Sequence, residues 1–313
     1  MRRSGIVLLN DSLLLLTAVI WGVAFVAQRA GMDYVGPFTY NAVRFALGSI
    51  VLLPLIAARG RRTPAVGPAG GPGASIGAFR AGLIAGVILI FGASLQQIGL
   101  VYTTAGKAGF VTGLYVVLVP LSGLLWRQKT EWSAWTGAVL CVAGLFLLSV
   151  TSVFTVERGD LIVLAGSFFW AAHVQVVGWL SPRTDPVRLA CVQFAVCSAA
   201  SAVGAAAFEQ PQLSSILAAA APILYGGILS VGVAYTLQVV AQRRAPPSHA
   251  AILLSLESVF AALGGALILG ERLGARGTLG CALMFVGMIV SQAPALLARS
   301  RDDPALAVSR PRE

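Results

Sequence analysis

The chain has 313 residues, of which 57% are apolar and only 11% charged, and its formal net charge is +10. A soluble domain carries roughly 25% charged residues, so the composition excludes a soluble catalyst, a disordered tail protein and a secreted disulfide scaffold. With a mean hydropathy of +0.84, the chain reads as an integral membrane protein.

Apolar runs bounded by charge, Pro or Gly fall at 12–30, 38–58, 80–101, 107–126, 133–152, 160–180, 187–208, 218–240, 249–269 and 274–293. None alternates with period two as a barrel strand would. Without water to satisfy the backbone, such a run must then be helical. The predicted fold is all-α and integral to the membrane, with ten transmembrane helices. Met1-Arg2-Arg3 before Leu13–Leu16 resembles a secretory signal. The run continues through Ala27 without a small-x-small cleavage site, so it is read as a first retained helix. Arg59–Gly77, rich in Pro and Gly, is expected to be a flexible loop, and 294–313 a disordered cytoplasmic tail. Cys141, Cys191, Cys197 and Cys281 lie in apolar runs without metal-ligand or CxxC spacing. They read as packing residues; no metal or cofactor is expected.

Counted on alternate sides of the ten helices, sixteen of the 22 Lys and Arg fall on the side of the N-terminus and five on the other, with Arg44 inside a span. The positive-inside rule then places both termini in the cytoplasm, with the chain in the plasma membrane. The same spread explains the basic balance without nucleic acid.

The chain also repeats itself. Trp21-Gly22 aligns with Trp170-Ala171, and Arg44-Phe45 with Gln193-Phe194, both at an offset of 149. Gly137-x6-Gly144 aligns with Gly280-x6-Gly287 at 143, a fall that the longer loop after the second helix produces. Two five-helix repeats, 12–152 and 160–293, follow. Because five is odd the second is inverted, which suits alternating access around a midplane site.

The chain resembles the EamA branch of the drug/metabolite transporter superfamily over about residues 12–293. The resemblance rests on Trp21-Gly22, Leu114-Tyr115-Val116-Val117-Leu118-Val119-Pro120, Ser255-Leu256-Glu257-Ser258 and above all Gly270-Glu271-Arg272-Leu273. It implies secondary transport of small polar metabolites through a central cavity lined by helices other than five and ten. The chain departs from that pattern at Arg127-Gln128-Lys129, where Glu-Arg is usual, and at Ser258, where Pro is usual. The second departure leaves a kink in helix nine open.

Polar residues inside a span are costly and face a bundle interior or a cavity. Glu257 lies about 12 Å beyond His249 along its helix, with Ala261, Gly264 and Gly265 on its face. There it can exchange a proton or hold a substrate amine, or serve as a structural acid paired across helices. Arg44, with Tyr40, Asn41 and Gly48 on one face, has three readings: a pair with Glu257, a counter-charge for a substrate carboxylate, or snorkelling to the headgroups. Further polar and aromatic stripes run along Trp21 and Gln28 in helix one, Ser94 and Gln97 in helix three, and Thr112 and Tyr115 in helix four. Trp170 and His173 continue the pattern in helix six, as do Tyr235 and Gln238 in helix eight. They point to a polar cavity, with interhelical hydrogen bonding as the plainer alternative. Lys107 and His249 sit at helix starts and read as interfacial. Pro120 is expected to kink helix four.

No phosphate loop, HExxH or GxSxG motif occurs, so the chain is not read as an enzyme. The function expected is a proton-coupled secondary exporter of a small metabolite such as an amino acid or derivative. Uptake or facilitated diffusion is the first alternative, and a non-transporting scaffold or sensor the second. The expected partners are a small-molecule substrate, the lipid bilayer, a proton as coupling ion and no nucleic acid. Gly137/Cys141/Gly144 and Gly280/Met284/Gly287 could serve a homodimer or an internal contact.

Overall fold

The computed structural model describes residues 2–60, 76–128, 130–149, 157–268 and 274–301. Most of the expected Arg59–Gly77 loop, Gly270-Glu271-Arg272-Leu273 and the last part of the expected tail lie outside them. Among the described residues the chain is all-helical. Seven helices are long and apolar enough to cross a membrane, and three shorter apolar helices cover 132–147, 247–263 and 275–291.

In chain order these are α1 (Arg2–Gly31), α2 (Pro37–Gly60), α3 (Ala78–Tyr102), α4 (Ala105–Gly113), α5 (Tyr115–Leu125), α6 (Trp132–Ser149), α7 (Arg158–Leu180) and α8 (Pro186–Phe208). There follow α9 (Leu213–Ala218), α10 (Ala220–Leu224), a π-helical stretch (Tyr225–Tyr235), α11 (Thr236–Ala241), α12 (Pro247–Ser255), α13 (Glu257–Ile268) and α14 (Ala275–Arg301). Three helices start on a proline, whose fixed φ suits the first turn and whose missing N–H costs nothing there. The first turn of α2 is closed from a distance. Glu209, at the end of α8, accepts from the Phe38 and Thr39 amides at 2.8 Å and from Thr39 Oγ1 at 2.6 Å. α14 runs on to Arg301, into the segment read as tail.

Helix four is interrupted at Leu114 rather than at Pro120, which lies within α5. The Leu114 amide turns back to Val111 O at 3.3 Å, a tighter three-residue closure that ends α4. Helix nine is interrupted in the same way at Leu256, whose amide reaches Leu253 O at 3.3 Å. Ser258 in place of proline therefore does not prevent a break. In helix eight the π-helical winding leaves carbonyls open to side chains from α1. Trp21 Nε1 donates to Ser230 O at 3.2 Å and Thr17 Oγ1 to Ala234 O at 3.1 Å.

α6 packs along α14, α2 along α8, and α3 along both α7 and α8. α1 lies against the π-helical stretch, α12 and α13, while α7 lies against α4 and α5. The α6–α14 contact is made by the small-residue faces. A Cβ on Gly137 would sit 2.6 Å from Gly287 O, and one on Gly144 2.5 Å from Gly280 O. Cys141 and Met284 are fully buried between them. These faces are spent on an internal contact, so the homodimer reading built on them falls away.

Candidate functional site

Spacing along each helix decides what the middle of the bundle contains. Trp21, Phe25 and Gln28 follow one another at three- and four-residue steps on α1, and on α7 His173 and Val174 lie three and four residues beyond Trp170. With Arg44 of α2, Gln96 of α3, Thr112 of α4, Tyr115 of α5, Ser230 and Tyr235 of the π-helical stretch, Gln238 of α11, Leu254 of α12 and Glu257 of α13, they enclose one cavity. No lining residue comes from α6, α8 or α14. The free space is small, about 30 Å³ open to the centre of a water-sized sphere. That is room for about two ordered waters at roughly 10–15 Å³ each.

Glu257 and Arg44 both face this space, yet they are not an ion pair. The ion pairs seen among the described residues include Arg29–Asp33 and Lys107–Glu157, and His249 Nε2 meets Asp11 Oδ1 at 2.7 Å. Glu257 instead accepts from the Tyr115 hydroxyl at 3.3 Å across the bundle. Arg44 donates from Nε to Asn41 Oδ1 at 2.9 Å, and Asn41 in turn donates to Ala93 O at 3.2 Å. The guanidinium carbon lies 5.3 Å from the Tyr40 ring centre and 4.9 Å from that of Phe45, within range for cation–π attraction. At 2% exposure Arg44 does not snorkel. Its depth in the bundle overturns that reading along with the pair.

The aromatic wall is continuous: Tyr235 lies 4.5 Å from Trp21 and 6.1 Å from Trp170, centre to centre. His173 Nε2 is 3.0 Å from Gln193 Oε1, so it is both a satisfied core histidine and a lining residue. The Gln28 side chain is held by Gln96 at 3.1 Å and its carbonyl by Gln97 at 3.3 Å. Gln238 donates to Gln242, which donates on to Val174 O. Three lining groups have no partner among the described residues: Thr112 Oγ1, Trp170 Nε1 and Gln238 Oε1. A buried polar atom left unmade costs about 1–3 kcal/mol, so each is a position where a ligand or water gains a hydrogen bond.

Of the residues expected from sequence, Trp21, Gln28, Arg44, Tyr115, Trp170, His173, Tyr235, Gln238 and Glu257 line the cavity, joined by Thr112 from the same stripes. Tyr40, Asn41 and Gln97 stand behind it, holding Arg44 and Gln28. Ser94 is buried with its hydroxyl unpartnered but does not line the space. The sequence reading missed Phe25, Gln96, Val174, Ser230 and Leu254. Gln96 is a buried amide one position from the stripe, a signal within reach. The apolar three carry none, because every helix is apolar.

A sequence profile of the EamA-like transporter family matches residues 8–150 and, a second time, 157–292. The chain belongs to the EamA-like transporter family. It is 31% identical over 281 residues to an uncharacterized transporter of Archaeoglobus fulgidus, covering 88% of this chain and 83% of that protein. It is 25% identical over 267 residues to the uncharacterized inner membrane transporter YedA of Escherichia coli, covering 82% and 81%. A solved crystal structure superposes with a TM-score of 0.69 over 94% of this chain and 99% of the other at 21% identity, a likeness of fold. The family places the chain among membrane transporters of the drug/metabolite transporter superfamily that the sequence resembles. Like the resemblance, the structure leaves helices five and ten (α6 and α14) outside the cavity.

Proposed function

We propose that the chain is a secondary carrier of the inner membrane, with both termini cytoplasmic and two inverted five-helix halves, exporting a small carboxylate-bearing metabolite such as an amino acid or derivative against the inward flow of protons. The observation that carries this reading is a carboxyl and a guanidinium facing one buried cavity, each engaged only by neutral partners. An unpaired buried guanidinium is expensive, and its fork fits a substrate carboxylate with two charge-assisted hydrogen bonds. Glu257 then serves as the group that takes up a proton or a substrate ammonium, with the aromatic wall covering the rest of the molecule.

Packing supports the inverted halves. Exchange helices one to five with six to ten, and the main contacts map onto one another: α2–α8 and α6–α14 onto themselves, α3–α7 onto α1 with the π-helical stretch, α7–α4 onto α1–α12. The double match to the family profile supports the same division.

Purified carrier in proteoliposomes, given an imposed pH gradient and a panel of amino acids, tests the reading. Uphill movement of substrate is expected, and Glu257→Gln should abolish its dependence on the gradient. PH dependence unchanged in that variant removes Glu257 from coupling. Equilibration without uphill movement favours facilitated diffusion, and uphill uptake towards the cytoplasmic side reverses the direction.

A further inference from the structure

Two side-chain contacts, one at each end of the bundle, tie the start of a half-helix to a neighbouring helix at nearly matching places in the repeat. At the end that carries the start of α1, His249 Nε2 lies 2.7 Å from Asp11 Oδ1 and joins the first turn of α12 to α1. At the opposite end, Lys107 Nζ lies 2.8 Å from Glu157 Oε1 and joins the first turn of α4 to the start of α7. Lys107 and His249 are 142 positions apart, the same offset that separates the helix breaks at Leu114 and Leu256. Asp11 and Asp160 are 149 apart, the offset of Trp21 and Trp170. Asp160 belongs to the second cluster too, where its Oδ1 accepts from Thr103 Oγ1 at 2.5 Å.

Each pair closes the outer end of a nine-residue half-helix, α4 (Ala105–Gly113) or α12 (Pro247–Ser255). Each half-helix is cut at its inner end from the helix that continues it, and the first residues past the two cuts are Tyr115 and Glu257. Those two bond to each other in the cavity. Beside the His249–Asp11 pair is an open vestibule of about 690 Å³, which Glu131 and Arg244 also line. The vestibule and the central cavity share no lining residue. Both pairs are made here, and the central space has no room for a metabolite.

We infer that His249–Asp11 and Lys107–Glu157 are the two gate latches of one carrier, and that α4 and α12, hinged at Leu114 and Leu256, are the parts that swing when one latch opens and the other holds. The inference rests on the carrier reading but names its gates. The exposed Lys107–Glu157 pair is weak, and His249–Asp11 is a single side-chain contact at the edge of the vestibule, so either latch can be released without unfolding the bundle, and losing one tilts the balance between the two open states without abolishing either.

The experiment uses the full chain with Ser230→Cys as a reporter in the central cavity, in membrane vesicles of both orientations, treated with an impermeant maleimide. The chain without the added cysteine corrects for the four native cysteines, all buried. Asp11→Asn should speed labelling from the Asp11 side about fivefold and slow it from the other, and Glu157→Gln should do the reverse. The charge-swapped pair Asp11→His with His249→Asp should restore the original rates. If Asp11→Asn does not fold, His249→Gln reads the same latch. Equal changes on both sides, or none, overturn the inference. Sided labelling together with no substrate flux in the unmodified protein counts against the carrier reading instead.

Discussion

Tyr115 in the first half and Glu257 in the second hold equivalent places, each the first residue after a helix break, and they meet in the cavity. One is a neutral phenol, the other a carboxyl. Arg44 and Gln193 differ in the same way at an offset of 149: the first brings a charge to the cavity, the second is fully buried and occupied with His173. In the proposed repeat the helix breaks recur while the chemistry does not. Near-equivalent halves give a carrier two conformations of similar energy, and single substitutions at equivalent positions are enough to give it a preferred cargo.

The sharpest way to break this comparison is at Arg44. Hydrogen bonds to a charged group contribute about 1.5–3 kcal/mol, so Arg44→Gln should lower substrate affinity about 10- to 100-fold by the usual conversion, measured as the half-saturation concentration of transport in proteoliposomes. Gln193→Leu, at the equivalent position, costs His173 its hydrogen bond and removes no ligand charge, so affinity should stay within about fivefold. Equal losses at the two positions would mean that Arg44 is structural and that the halves do not differ as described.

Exchanging the phenol and the carboxyl tests whether the scaffold is indifferent to which half carries the acid. The double variant Tyr115→Glu with Glu257→Tyr keeps one carboxyl and one hydroxyl across the same gap. It should keep gradient-driven transport within about tenfold of the original, the size of one hydrogen bond's contribution of about 0.5–1.5 kcal/mol. Glu257→Gln alone should show none. A swapped protein as dead as Glu257→Gln would place the asymmetry in the surrounding helices, where the π-helical stretch of helix eight has no counterpart in the regular α3.

How much of this was legible beforehand differs by kind of signal. Apolar runs marked the long helices, because lipid permits only internally bonded backbone, but not the short α9 at Leu213–Ala218, and the Trp21/Trp170 and Gly137/Gly280 offsets suggested the repeat. Buried polar residues marked most of the cavity, since little else justifies Glu257 or Gln238 in a span. The sequence could not show that Glu257 would meet Tyr115 rather than Arg44. Axial depth says nothing about azimuth, and the partner is set by how α5 and α13 lie against each other. Nor could it place the breaks. Pro120 drew attention to the wrong residue, while Leu114 and Leu256 have no distinctive local chemistry.

The smallest expected effect separates the two tryptophans. Trp21 Nε1 is bonded to Ser230 O, so its hydrogen bond belongs to the fold; Trp170 Nε1 is buried beside the cavity without a partner. Trp21→Phe should therefore lower thermal stability by about 1 kcal/mol and change substrate affinity little, because the aromatic contact with Tyr235 survives the change. Trp170→Phe loses ring packing against Gly92 but no hydrogen bond, so it should lower the melting temperature less than Trp21→Phe and weaken substrate binding about fivefold, because the N–H that a bound acceptor would use is gone. Melting curves with and without substrate read both quantities from one preparation. A drop in stability for Trp170→Phe equal to that for Trp21→Phe would show that the indole N–H already has a partner in the empty protein, and the cavity would then offer its ligand one contact fewer.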